Sequence, residues 1–267
     1  MGRCIKSVTA MFISSLVMFL QPSVHAQTST TILTAEQVVD RIAPSVALIL
    51  VGGDAGDTTG ISSAVIVHPD GVLLTAYHTV KKAKELQVRL KSGEIYDQVQ
   101  LIGADERRDI AALRIPATNL PAASTVDSAV LKPGASVFVV SRGAALPWTA
   151  SSGIFNSVRL ADEVSGAGSG YRLLQFTAPI PAESSGGVLV DSQGRALGIV
   201  VATVDRAQNI NFAVPLDAVL GLAALPGGNA FGSGASLKLP PQQSTPQSMG
   251  GPNSRCKLLM WHHLMSR

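Results

Sequence analysis

The sequence predicts an all-β fold, and three observations lead to that expectation. Short runs rich in Val, Ile and Leu recur along the chain, among them VALILV, SSAVIV, VLLT, IAALRI, SVFVV, ALGIVVATV and INFAV. Turn signals punctuate them: HPDG at His68 to Gly71, KSGE at Lys91 to Glu94, DSQG at Asp191 to Gly194. Helical periodicity is confined to one short segment near each end of this region. Many short strands with few helices imply a β-barrel or sandwich. With 267 residues, 46% hydrophobic and 15% charged, the chain can bury a sizeable core, which excludes disorder throughout.

The segments follow in order. Residues 1–26 read as a secretory signal: Arg3 and Lys6, an apolar run from Ser7 to Leu20, then a small residue, Ala26, at the cleavage point. That run is short for a membrane span, so no stable span is expected after cleavage. Of 21 basic and 18 acidic side chains, cleavage removes two basic and no acidic ones, leaving a nearly neutral chain. Nucleic acid is therefore not an expected partner. Cleavage also removes Cys4 and leaves Cys256 alone, so no internal disulfide is expected.

Thr34 to Gln37 form a capping box that opens a helix, TAEQVVDRIA, ended by Pro44. The strands follow, and PLDAVLGLAAL from Pro215 reads as a closing helix. The ordered domain is expected over residues 34–225. Beyond Pro226, residues 226–267 shift to Gly, Pro, Ser and Gln, a composition expected to remain a flexible tail. No physical role is assigned to its apolar end, CKLLMWHHLMSR.

Nucleophilic chemistry by a serine needs a base and a carboxylate to orient it. Five histidines are present: His25 lies in the signal, His68 in a turn, His262 and His263 in the tail, and only His78, in LLTAYHTV, closes a strand. A lone histidine there would ordinarily be structural. Asp109, however, stands directly before the strand IAALRI, and Ser185 lies in PAESSGGVLV. The order His, Asp, Ser at the edges of β elements does not match the α/β-hydrolase order, and Glu183 breaks Gly-x-Ser-x-Gly. Asp105 and Ser184 are the alternatives to Asp109 and Ser185; Asp105 lacks the adjoining strand, and only Ser185 is followed directly by Gly186 and Gly187.

Taken together, LLTAYHTV, DIAALRI, ASSGIFNSVR from Ala150 to Arg159, PAESSGGVLV and NINFAVPLDAV resemble the trypsin-like serine proteases of the HtrA (Deg) type. The resemblance implies two six-stranded antiparallel β-barrels, with a short N-terminal helix and a closing C-terminal helix. It implies that His78 is the general base, Asp109 its orienting carboxylate and Ser185 the nucleophile, with an oxyanion hole from the backbone N–H groups of Glu183 and Ser185. No metal or organic cofactor is implied. No PDZ module is read after the barrel, and a homotrimer through the N-terminal segment is left open.

The departure at Glu183 matters most, because glycine is favoured where the backbone must visit positive φ. A β-carbon there costs about 1–2 kcal/mol, and one lost oxyanion donor slows acyl transfer about a hundredfold to a thousandfold. The expectation is a slow or substrate-activated endopeptidase that acts on unfolded or extended polypeptides, periplasmic or secreted. The competing reading is a protease-like module that binds extended peptides without cleaving them. Pro179, Ile180, Val200 and Val201 are read as walls of an aliphatic specificity pocket, with barrel core as the alternative for Pro179, Val200 and Val201.

Overall fold

The computed structural model describes residues 33–53, 57–143, 148–181, 184–205, 209–233 and 237. The expected signal at 1–26, most of the tail, and Glu183 lie outside the described residues. Helix α1 (Ala35–Ile42) begins at Thr34, where the capping box forms: Thr34 Oγ1 accepts from Gln37 N, and Gln37 Oε1 accepts from Thr34 N at 2.9 Å. Pro44 follows in a short 3₁₀ turn, Ala43–Ser45, that leads into the first strand.

The first β unit contains β1 (Val46–Gly52), β2 (Thr58–His68), β3 (Val72–Ala76), β4 (Glu85–Arg89), β5 (Ile95–Tyr96), β6 (Gln100–Asp105) and β7 (Ile110–Arg114). Between β3 and β4 lies a single helical turn, α2 (Tyr77–Val80). The second unit contains β8 (Ser136–Ser141), β9 (Thr149–Leu160), β10 (Arg172–Phe176), β11 (Val188–Asp191), β12 (Ala196–Asp205) and β13 (Ile210–Pro215). Those six strands close into an antiparallel barrel in the order β10-β13-β12-β11-β8-β9.

The first unit stays open, as a half-barrel, which qualifies the expectation of two closed barrels. β5 has two residues and pairs only β4. The outer edge of β6 is instead taken by β14 (Asn229–Ala230), and β15 (Gly232–Ser233) adds to β4 in parallel. Both strands lie beyond Pro226, so the start of the expected flexible tail is paired to the sheet. Phe231 N donates to Val99 O, and Leu237 is buried against Leu48 and Leu50 on the outer face of β1. Averaged composition hid these two apolar residues. The closing helix also differs: it is two 3₁₀ stretches, Leu216–Ala218 and Leu220–Ala224, broken where Val219 takes φ −128° and ψ −5°.

Alternation within the strands explains why so many read as continuous apolar runs. Along β3, Leu73 points into the first unit, whereas Val72 and Leu74 point into a layer shared with the second. On β7, Ala111 and Leu113 face inward, and Ile110 and Ala112 join the shared layer. On β11, Leu189 lies in the closed barrel's core while Val188 and Val190 meet the shared layer. Strands buried on both faces need no polar alternate. Val38 and Ile42 of α1 plug the same layer. Among the described residues, no helix is long and apolar enough to cross a membrane.

Replacing Leu74, fully buried in the shared layer, by Ala is expected to cost about 3 kcal/mol. The check is the shift of the urea midpoint at unchanged m-value.

Candidate active site

Three of the strands that line the shared layer present the candidate residues at their ends. β3 and β7 run antiparallel with Ala76 opposite Ile110, so the residue after β3 and the residue before β7 are neighbours by register. Tyr77 N donates to Asp109 O at 2.9 Å, which extends that ladder by one step. α2 then turns His78 back over the ladder's end.

Asp109 holds His78 twice. Its Oδ1 accepts from the His78 backbone N–H at 2.7 Å, and its Oδ2 lies 2.5 Å from His78 Nδ1. Nδ1 facing a carboxylate places the ring proton there and leaves Nε2 as an acceptor. The two side chains are 42% and 29% exposed, so the pair is not sealed from solvent. Asp109 adopts φ 59°, a left-handed conformation that aspartate tolerates better than most residues. The turn before it is braced: Arg108 donates to Asp105 from its backbone and from its guanidinium, and Asp109 N donates to Glu106 O. Burial alone would raise the Asp105 carboxyl, but the hydrogen bonds and charge of Arg108 carry it below its ordinary value. Asp105, the alternative carboxylate, is thus engaged by Arg108 and not by His78.

Ser185 stands at the bend before β11, and the bend is seated on the first unit. Ser185 O accepts from Ser63 N at 3.1 Å and from Ser62 Oγ at 3.0 Å, both on β2. Thr75 on β3 donates to Ser63 O at 2.6 Å, linking this seat to the strand that ends at His78. Gly186 has φ 78°, and a Cβ on it would fall 2.1 Å from Ser63 O and 2.4 Å from Thr75 Oγ1. Gly187 is also confined, though less tightly, with Ser184 O 2.8 Å from where its Cβ would be. Gly186 N donates to Val200 O and Val200 N donates to Gly187 O, which clamps the bend to β12. Ser184, the alternative nucleophile, is fully buried, with its hydroxyl 3.0 Å from that of Ser141.

The residues read as pocket walls separate. Val200 lies in the core of the closed barrel, and Val201 packs on the shared layer. Ile180 is half-buried against the barrel core, and Pro179 is exposed. The segment carrying them is positioned by two features that sequence reading missed. Asn211 Nδ2 donates to Ala178 O at 2.8 Å, and Gly153 lies so close beneath that a Cβ would be 2.3 Å from Ala178 N. Ser62, Ser63 and Thr75, all fully buried, were missed too. Adjacent serines opening an apolar strand were the available signal, since a buried hydroxyl requires a partner.

A family model described as the trypsin-like peptidase domain matches residues 62–199, a span that takes in His78, Asp109 and Ser185, and the chain belongs to that family. Within it, the similar proteins are of the HtrA type. The chain is 28% identical over 169 residues to serine endoprotease DegS of Haemophilus influenzae, covering 61% of this chain and 49% of that one. It is 30% identical over 171 residues to the chloroplastic Protease Do-like 1 of Arabidopsis thaliana, covering 61% and 38%. The solved structure of HtrA-type protease AlgW with a tripeptide superposes with a TM-score of 0.64 at 29% identity, over 71% of this chain and 62% of that chain. The chain spans less than half the length of these two curated relatives.

Gly186→Ala is expected to destabilise the fold by more than about 2 kcal/mol, because steric overlap adds to the cost of a left-handed residue. Gly134→Ala is the control: φ is 86° there, with nothing within 4 Å, and it should cost only about 1 kcal/mol. Equal losses in urea titrations would show that the seat on β2 does not confine the bend.

Proposed function

We propose that this chain is an exported serine endopeptidase that hydrolyses peptide bonds in extended segments of unfolded polypeptides. Ser185 Oγ attacks the carbonyl, His78 Nε2 takes its proton and returns it to the leaving amine, and Asp109 holds the imidazole and stabilises its charged form. The observation that carries this reading is the double grip of Asp109 on His78, at the end of the strand tied to the Ser185 seat. Membership of the peptidase family and a related HtrA-type protease solved with a tripeptide support it. Substrate would lie extended against a strand edge, with backbone hydrogen bonds giving affinity. Ile180, half-buried against the barrel core five residues before Ser185, is the wall that would favour an aliphatic side chain at the cleavage point.

The backbone N–H groups of Ser185 and Glu183 serve as the oxyanion hole. Glu183 in place of glycine makes the enzyme slow or substrate-activated. Export to the periplasm or beyond the cell follows from the signal-like residues 1–26, and a homotrimer is consistent with the HtrA resemblance.

A second reading, a peptide-binding module that does not cleave, is favoured by one observation. Among the described residues, the Ser185 hydroxyl makes no hydrogen bond, to His78 or to any other group.

A fluorophosphonate probe separates the two. Ser185-dependent labelling, abolished in Ser185→Ala, is the expected outcome; peptide binding without labelling would establish the module instead. Glu183→Gly is expected to raise turnover of an unfolded protein by about tenfold or more, read as kcat/KM. An unchanged or lower rate would remove Glu183 as the limiting feature.

A further inference from the structure

Beside the Ser185 seat stands a cation that no carboxylate among the described residues pairs. Arg142 follows β8, and its backbone is fastened to Ser63, the residue whose N–H holds Ser185 O: Arg142 N donates to Ser63 Oγ at 2.9 Å, and Arg142 O lies 3.1 Å from the same hydroxyl. One residue therefore anchors both the nucleophile's bend and the root of the arginine. The guanidinium is half-buried and lies 4.9 Å from the centre of the Trp148 ring, with Lys91 Nζ also near that ring at 5.7 Å. Its NH1 donates to Arg89 O at 2.6 Å, which is its sole acceptor among the described residues, and Nε is buried without a partner.

Such a site is costly as it stands. Burial, with the nearby Arg89 adding to it, pulls the Arg142 guanidinium below its ordinary value, and no carboxylate among the described residues opposes that. A buried cation is ordinarily paired, and leaving it unpaired costs more than a pair returns. Stacking on tryptophan offsets part of this and also holds the planar group in one orientation. An incoming carboxylate would supply the missing charge and accept the free donors.

We propose that Arg142, stacked on Trp148 and with Lys91 near the same ring, forms a subsite for one acidic side chain of the polypeptide substrate at a position flanking the bond that Ser185 attacks. The subsite rests on the reading of Ser185 as nucleophile for its location, but not for its chemistry. Aliphatic preference at the cleavage point and acidic preference at a flanking position are then separate determinants.

The test scans one Glu, and Gln as its neutral counterpart, through each position flanking the scissile bond of a fluorogenic peptide. At one position kcat/KM is expected to be about tenfold higher for Glu than for Gln. That ratio should fall to about one in Arg142→Gln, be partly retained in Arg142→Lys, and shrink as salt is raised. Equal rates at every position, or a ratio that survives R142Q, would overturn the proposal. Binding of the same peptides to Ser185→Ala, followed by fluorescence polarisation, reads the subsite without cleavage. A Glu preference there that R142Q removes upholds the subsite even if the native chain cleaves nothing; its absence there overturns it. Should R142Q fail to fold, Lys91→Gln carries the test, with the Glu/Gln ratio expected to fall about threefold and an unchanged ratio counting against the subsite.

Discussion

The structure depends on one seat between its two β units: the carbonyl of Ser185 held by Ser63 N–H and Ser62 Oγ on β2. The donor residues Ser62 and Ser63 are fully buried, so a donor left without its partner would carry a desolvation penalty. Around them the geometry has no slack. Gly186 meets the Ser63 carbonyl and the Thr75 hydroxyl where any side chain would begin, and Thr75 in turn bonds Ser63 O. The bend that carries the proposed nucleophile is therefore shaped from both sides, by β12 of its own barrel and by β2 and β3 of the other unit.

The apolar layer between the units makes that seat possible. β3, β7 and β11 bury both faces and give way to polar residues at their ends. The Asp109 backbone, the His78 ring and the Ser185 bend all sit at such ends. A left-handed backbone occurs there as well: Asp109 is one of three described non-glycine residues with positive φ. A fold can hold such a residue when its neighbours over-determine it, and the Arg108 to Asp105 brace with the Tyr77 ladder bond does so here.

Much of this was legible in the amino-acid sequence, and the reasons differ between elements. Continuous runs such as VLLT and IAAL advertised strands buried on both faces. The capping box at Thr34 is a local motif and formed locally. The order His78, Asp109, Ser185 carried the family resemblance, and membership in the family is confirmed. What was not legible depends on distant pairings. Whether the first unit closes turns on β14 taking the edge of β6, across more than a hundred residues of chain. The break at Val219 replaced one closing helix by two short turns, although the apolar pattern alone favoured continuity. The roles of Ser62, Ser63 and Thr75 could not be read, because a hydroxyl within an apolar run does not name its partner. Nothing in the sequence singles out Arg142; that it lacks a carboxylate partner among the described residues becomes visible only once Trp148 and Arg89 are placed around it.

The double grip on His78 has a kinetic meaning. A carboxylate that bonds both the amide and the ring of one residue forms a chelate, and the imidazole can no longer swing about its first side-chain torsion without releasing Oδ2. The rotational freedom of that ring is surrendered when the chain folds, so in the proposed function the base is aimed before any substrate arrives.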